Sequence, residues 1–153
     1  MEQKCPFCRE PLPKTQKDIK QNYTKRAKAN DPIALFQMGV KCLDKGDYEG
    51  AFEYFTKAAA LGDMDAHYNL SIMYATGEGV EKDEKKEVYH LEEAAIGGHP
   101  DARYNLACYE VRNGRTDRDR ATKHLIIAAK LGHDLALDKE KVKEGFAKGF
   151  LSK

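Results

Sequence analysis

One pattern constrains this chain above all others: a set of residues that returns about every 34 positions. Ala34, Ala66 and Ala102 open three amphipathic stretches, spaced 32 and 36 residues apart. Two positions later stand Phe36, Tyr68 and Tyr104. Two more bring Met38, Leu70 and Leu106, then the small residues Gly39, Ser71 and Ala107, then Val40, Ile72 and Cys108. Apolar residues sampling more than one face suit a helix that is covered on more than one side.

A second helix follows in each unit, marked by a large apolar residue and a small pair. These are Phe55 with Ala58 and Ala59, Leu91 with Ala94 and Ala95, and Leu125 with Ala128 and Ala129. Each stretch then meets a glycine, Gly62, Gly98 or Gly132, the residue expected where a helix ends in a left-handed cap. Asp31-Pro32 and Asp63 stand before first helices and Asp83 before a second one, as capping carboxylates and an N1 proline. The pattern spills over both ends. Ile19, Tyr23, Ala27 and Asn30 repeat the spacing of Ala51, Phe55, Ala59 and Gly62, so residues 16–29 read as a second-type helix without a first partner. Val142, Phe146 and Gly149 repeat Leu70, Tyr74 and Gly77, so residues 135–148 read as a first-type helix. Ser152 then resembles the N-cap of a further helix, which places the C-terminus inside a fourth unit.

A helical hairpin of this length cannot bury its apolar face alone, so neighbours must stack on it. The expected fold is all-α, an α-solenoid of helix-turn-helix repeats. Its division is residues 1–13 as an N-terminal cysteine-bearing segment, 14–30 as a helix packing on the first repeat, 31–62, 63–98 and 99–132 as repeats 1 to 3, and 133–153 as the first helix of a truncated fourth. A single bundle with coincidental spacing is the alternative. Agreement of alanine, aromatic, small and glycine positions in three units argues against it.

The 153 residues carry 26 basic and 25 acidic side chains, a formal net charge of +1. That balance speaks against a dedicated nucleic-acid binder. No apolar run approaches the ~18 residues of a membrane span, and the first residues lack the apolar core of a secretory signal. Cysteines at 5, 8, 42 and 108 make no disulfide framework in a chain of this size. A cytoplasmic or nuclear setting is the expectation.

The chain resembles the Sel1-like repeat family, relatives of the tetratricopeptide repeats, across residues 31–149. The resemblance rests most on unit two: Ala66-His67-Tyr68-Asn69-Leu70-Ser71, Tyr74, Gly77-Glu78-Gly79-Val80, Asp83, Ala94-Ala95 and Gly98. Unit one, with Gly46-Asp47-Tyr48-Glu49, keeps a shorter inner loop, and unit three, with Asn113-Gly114, lacks the Gly-x-Gly-Val. The resemblance implies a scaffold or adaptor without chemistry of its own. It also implies that first helices line a concave face for a protein or peptide partner, with Phe36, Gln37, Tyr68, Asn69, Ile72, Tyr104 and Asn105 on or beside it. Asparagine amides can bracket a peptide backbone and tyrosines give rigid contact area. The alternative for these aromatics is packing between repeats. A clamp for carboxylate tails would want basic residues where Phe36, Asp101 and Asn105 stand, which disfavours that partner class.

Cys5-Pro6-Phe7-Cys8-Arg9 is the one candidate chemical motif. A glutaredoxin-like site needs a strand before it, and only four residues precede Cys5. Two thiolates two residues apart can also share a zinc ion, but tetrahedral zinc takes four ligands. The segment is similar to the last ligand pair of a RING finger. That likeness implies an incomplete zinc site at Cys5 and Cys8 and, in a longer parent, a ubiquitin ligase meeting a ubiquitin-conjugating enzyme. The third reading is a pair without metal, so no cofactor is expected in this chain as given unless other ligands complete the zinc site. Residues 14–28 carry six basic side chains against Asp18, which read as a solvated helix face rather than an RNA or acidic-partner surface. His67, His90, His99, His124 and His133 show no metal spacing, with His99 and His133 finishing turns. Gly77-Glu78-Gly79 lacks the strand and lysine-serine continuation of a phosphate cradle. Catalysis is not expected.

Overall fold

Caps and stops written into the sequence divide the chain into helices at nearly every point the repeat demands. The computed structural model describes residues 15–112 and 118–137. In that part the helices are α1 (Gln16–Lys28), α2 (Pro32–Leu43), α3 (Tyr48–Ala59), α4 (Met64–Thr76), α5 (Glu84–Ile96), α6 (Pro100–Arg112), α7 (Arg118–Lys130) and the short α8 (Asp134–Leu137). Cys5, Cys8 and the segment 138–153, including most of the expected helix 135–148, lie outside the described residues.

The turn between successive hairpins uses one device four times. A residue with positive φ ends the helix: Asn30 (56°), Gly62 (84°), Gly98 (94°) and Gly132 (92°). The next residue donates its N–H five positions back, as in Asp63 to Ala58 O (3.2 Å), His99 to Ala94 O (3.0 Å) and His133 to Ala128 O (3.0 Å), the long bond of a Schellman cap. That same residue's side chain accepts the N–H of the third residue of the following helix. Asp31 Oδ1 takes it from Ala34 (3.0 Å) and Asp63 Oδ1 from Ala66 (2.8 Å). At the later turns His99 Nδ1 takes it from Ala102 (3.3 Å) and His133 Nδ1 from Ala136 (3.1 Å). One side chain thus closes one helix and starts the next. The link is short because nothing else is needed.

Contacts run between sequence neighbours: α2 with α3, α4 with α5 and α6 with α7 as hairpins, and α1 with α2, α3 with α4, α5 with α6 and α7 with α8 between units. That one-dimensional pattern is a solenoid's. Ala34, Ala66, Ala102, Ala58, Ala94 and Ala128 are all wholly buried, so helix axes approach where only a methyl intervenes. The core is accordingly segmented. Leu35, Phe55 and Leu70 share the first cluster, Leu91 and Leu106 the second, Ala107 and Leu125 the third.

Gly39 shows how tight the first hairpin is. A Cβ built there would lie 2.6 Å from Phe55 Cε1, so the buried ring occupies the space a side chain would need. The matching positions, Ser71 and Ala107, carry a Cβ, and the residues corresponding to Phe55 are the smaller Leu91 and Leu125. The inner loop of unit two also needs its glycine. Gly79 has φ 73°, and a Cβ there would fall 2.6 Å from the Tyr48 carbonyl.

Candidate functional site

First helices α4 and α6, with α5 behind them, frame an open groove of about 220 Å³. Ser71, Ile72 and Ala75 come from α4, Asn105, Cys108 and Tyr109 from α6, and Glu87 and Leu91 from α5. Leu91 is buried, whereas Ile72 is 39% exposed. The Tyr109 hydroxyl donates to Glu84 Oε1 (2.9 Å), tying α6 to the first turn of α5. The volume suits one or two side chains of a bound peptide rather than a cofactor.

Of the residues proposed for the concave face, Ile72 and Asn105 line this groove. The others stand as follows. Phe36 packs against the first core cluster with its ring 5.6 Å from Phe55, and Gln37 is half-buried on α2. Tyr68 is half-buried, stacked on His99 with ring centroids 4.2 Å apart, and accepts a hydrogen bond from Asn105 Nδ2 (3.3 Å). Asn69 spends its amide on the Asp65 carbonyl of its own helix (2.8 Å). Tyr104 stacks on His133 at 4.4 Å. Burial, with the Asp101 charge, raises the Tyr68 phenol above its ordinary range; burial, with Cys108, does the same to Tyr104. Both hydroxyls stay protonated at neutral pH.

Sequence reasoning missed two arrangements. At the second and third turns an aspartate, a tyrosine and a histidine form the same group: Asp65, Tyr68 and His99, then Asp101, Tyr104 and His133. The histidine Nε2 lies 3.6 Å and 3.5 Å from the respective carboxylate. The signal was available, since His99 and His133 sit three residues before an alanine, where Asp31 and Asp63 sit in the earlier turns. The expected turn histidines are therefore helix caps and ring-stacking partners as well.

The second arrangement lies inside the hairpins, where two histidines that show no metal spacing in the sequence meet. α4 and α5 bring His67 and His90 together, Nδ1 to Nδ1, at 2.9 Å. Tyr74 stacks on His90 with planes 9° apart. In the next hairpin the corresponding positions hold Arg103, Glu110 and His124. Arg120 Nε donates to Glu110 Oε1 (2.7 Å), and Arg103 Nη1 meets His124 Nδ1 at 3.3 Å. Burial, then the nearby His67 and Lys86, lowers the His90 pKa to about 4. Burial, then Arg103 and Arg120, lowers that of His124. Among the described residues no group of three or more histidine, cysteine, aspartate or glutamate side chains is placed to hold a metal ion. No helix there is long and apolar enough to cross a membrane.

The comparisons with known proteins agree with the repeat architecture. A family model described as Sel1 repeat matches residues 32–63, 65–99 and 100–133, a span that leaves Cys5 and Cys8 outside it. A crystal structure of a Sel1 repeat protein from Oxalobacter formigenes superposes with a TM-score of 0.71 at 29% identity, over 81% of this chain and 96% of that one. The putative beta-lactamase HcpC of Helicobacter pylori is 39% identical over 56 residues, 37% of this chain and 19% of its own length. The ERAD-associated E3 ubiquitin-protein ligase component HRD3B of Arabidopsis thaliana is 49% identical over 41 residues, 27% of this chain and 7% of its own. This chain thus spans less than a fifth of either of those two relatives.

Proposed function

The chain belongs to the Sel1 repeat family, and on that footing we propose that it is a non-catalytic scaffold that holds a protein partner in the groove between α4 and α6. The observation that carries this reading is the groove itself: Ile72 exposed at its wall, Leu91 at its floor, and Asn105 beside them with a side-chain amide. Such a site offers apolar contact together with a few polar groups that can orient a bound segment. Ile72→Arg and Ala75→Phe would each fill or charge the groove from exposed positions without touching the buried core. Capture of a partner from lysate, lost in both variants and kept in a surface control such as Lys57→Ala, supports the assignment. A partner held equally well by both variants refutes it.

A second, finer reading joins the scaffold to ubiquitin transfer. It is favoured by the 49% identity to a ubiquitin-ligase component and by the Cys5-Pro6-Phe7-Cys8 segment. In this reading the repeats recognise a substrate, while Cys5 and Cys8 contribute two ligands to a zinc-bound RING that meets a ubiquitin-conjugating enzyme. Stoichiometric zinc that is lost on Cys5→Ser, in a chain that supports ubiquitin transfer, is the expected result. A folded, zinc-free chain inactive in transfer removes the ligase reading and leaves the groove reading standing.

A further inference from the structure

The groove between α4 and α6 is not uniform along its length. Leu91 at the floor, with Ile72 and Ala75 on the α4 wall, makes its apolar part. Glu87 also lines it and stands four residues before Leu91 on α5. Four residues are about one helical turn, a step of ~6 Å along the axis. Glu84 lies three residues further back, a neighbour of Glu87 on the helix surface, and accepts the Tyr109 hydroxyl at 2.9 Å. Carboxylates therefore gather at the end of the groove where α5 begins. Among the described residues the lining holds no lysine or arginine. Lys86, next to Glu87 in the chain, is engaged elsewhere: its ammonium lies 5.3 Å from the Tyr74 ring centroid and 3.7 Å from the Asp83 carboxylate.

Taking the groove as the partner site, as the preceding reading does, we propose that its occupant is an extended peptide segment of a particular kind. It carries an aliphatic side chain and, two positions away, a lysine or arginine. The groove sets that spacing. In an extended chain, side chains two positions apart share a face and stand about 6.6 Å apart, close to the one-turn step from Leu91 to Glu87. The aliphatic group covers Leu91 and Ile72 while the cation reaches Glu87.

The remaining polar group fits the same guest. Asn105 Nδ2 donates to the Tyr68 hydroxyl at 3.3 Å, which orients the amide, and Oδ1 can accept a backbone N–H. Other guests fare worse. An acidic segment meets like charge at Glu87 and Glu84. A wholly apolar one strips water from Glu87 and brings no counter-charge.

A random dodecapeptide library displayed on phage, selected against the full chain under reducing conditions, tests the proposal. Peptides that bind the parent but not Ile72→Arg define the groove ligands. They should be enriched in an aliphatic residue with lysine or arginine two positions away. Glu87→Lys should turn that basic preference toward aspartate or glutamate. For the strongest groove ligand, made as a fluorescent synthetic peptide, Glu87→Gln should weaken binding about fivefold. Replacing the peptide's basic residue by glutamine should do the same, and the two changes together should cost no more than either alone. Groove ligands without a basic residue, or an affinity unchanged in Glu87→Gln, would overturn the proposal and leave the groove reading standing. Peptides held equally by Ile72→Arg, or no enrichment at all, would overturn the groove reading and this proposal with it. Glu87 is only partly buried, which favours folded variants, and the change made in the peptide decides even where one does not fold.

Discussion

The first and third hairpins have one backbone plan and opposite interiors. Between α2 and α3 the interior is apolar: Leu35 shares a cluster with the wholly buried Phe55, and Cys42 and Tyr54 pack against that cluster. Between α6 and α7 the same positions are Arg103, Glu110 and His124, with Arg120 reaching in. The second hairpin is intermediate, with His67, Tyr74 and His90. The comparison teaches that the repeat prescribes where small residues and caps stand, and leaves free what the rest of the hairpin is filled with. Buried alanines and turn caps recur throughout, because they set how closely helices approach. The remaining interior can be filled by a ring or by an ion-pair cluster, provided the polar groups are mutually satisfied.

The largest effect expected from breaking this contrast is at its apolar end. Phe55→Ala should cost about 3–5 kcal/mol in denaturant unfolding, and Leu125→Ala, with its smaller side chain, less. Gly39→Ala alone should cost about 1–3 kcal/mol, because its Cβ overlaps the Phe55 ring. Gly39→Ala with Phe55→Leu, which copies the third hairpin, should recover most of that loss, and strict additivity of the two would contradict the complementarity argued here.

At the polar end, Glu110→Ala removes the acceptor shared by Arg120 and faced by His124. A loss of about 2 kcal/mol is expected, smaller than for a fully buried pair because Arg120 is half exposed. Cys42→Ala, at the matching apolar position, should lose less than half as much. Hydrogen exchange resolved by helix would locate each loss in its own hairpin.

The contrast also makes the later hairpins acid-sensitive. His90 titrates at about 4 in the folded chain and at its ordinary 6.5 when unfolded. The unfolded chain therefore binds more protons between those values, and stability falls as the pH drops from about 6.5 toward 4. His124, also lowered, acts in the same direction. The melting temperature should fall between pH 7 and pH 5, with a shallower fall in His90→Tyr. An equal slope in that variant would mean other groups carry the effect. The smallest change is expected for Tyr68→Phe, which loses one 3.3 Å hydrogen bond from Asn105 and should cost under about 1 kcal/mol.

Much of this architecture was legible before any coordinates. Alanine spacing, glycine stops and aspartate caps are local signals: each acts within one helix or one turn, so the residue itself announces its job. The groove was legible only in part. Ile72 and Asn105 belong to the expected face and line it, whereas Leu91, Cys108 and Tyr109 line it from outside that set. Tyr68 and Tyr104, read as contact residues for a partner, also stack on His99 and His133, residues 31 and 29 positions further along the chain.

The sequence by itself determined the helices, their order and their stacking, since periodicity and capping are short-range and each hairpin must cover its neighbour. Tertiary structure alone decided which polar side chains would meet. His67 reaches His90, and Arg103 reaches His124, across hairpins whose loop length and helix rotation set the register. No spacing rule encodes that register, because a helix turned by one residue would present a different set of side chains to its partner.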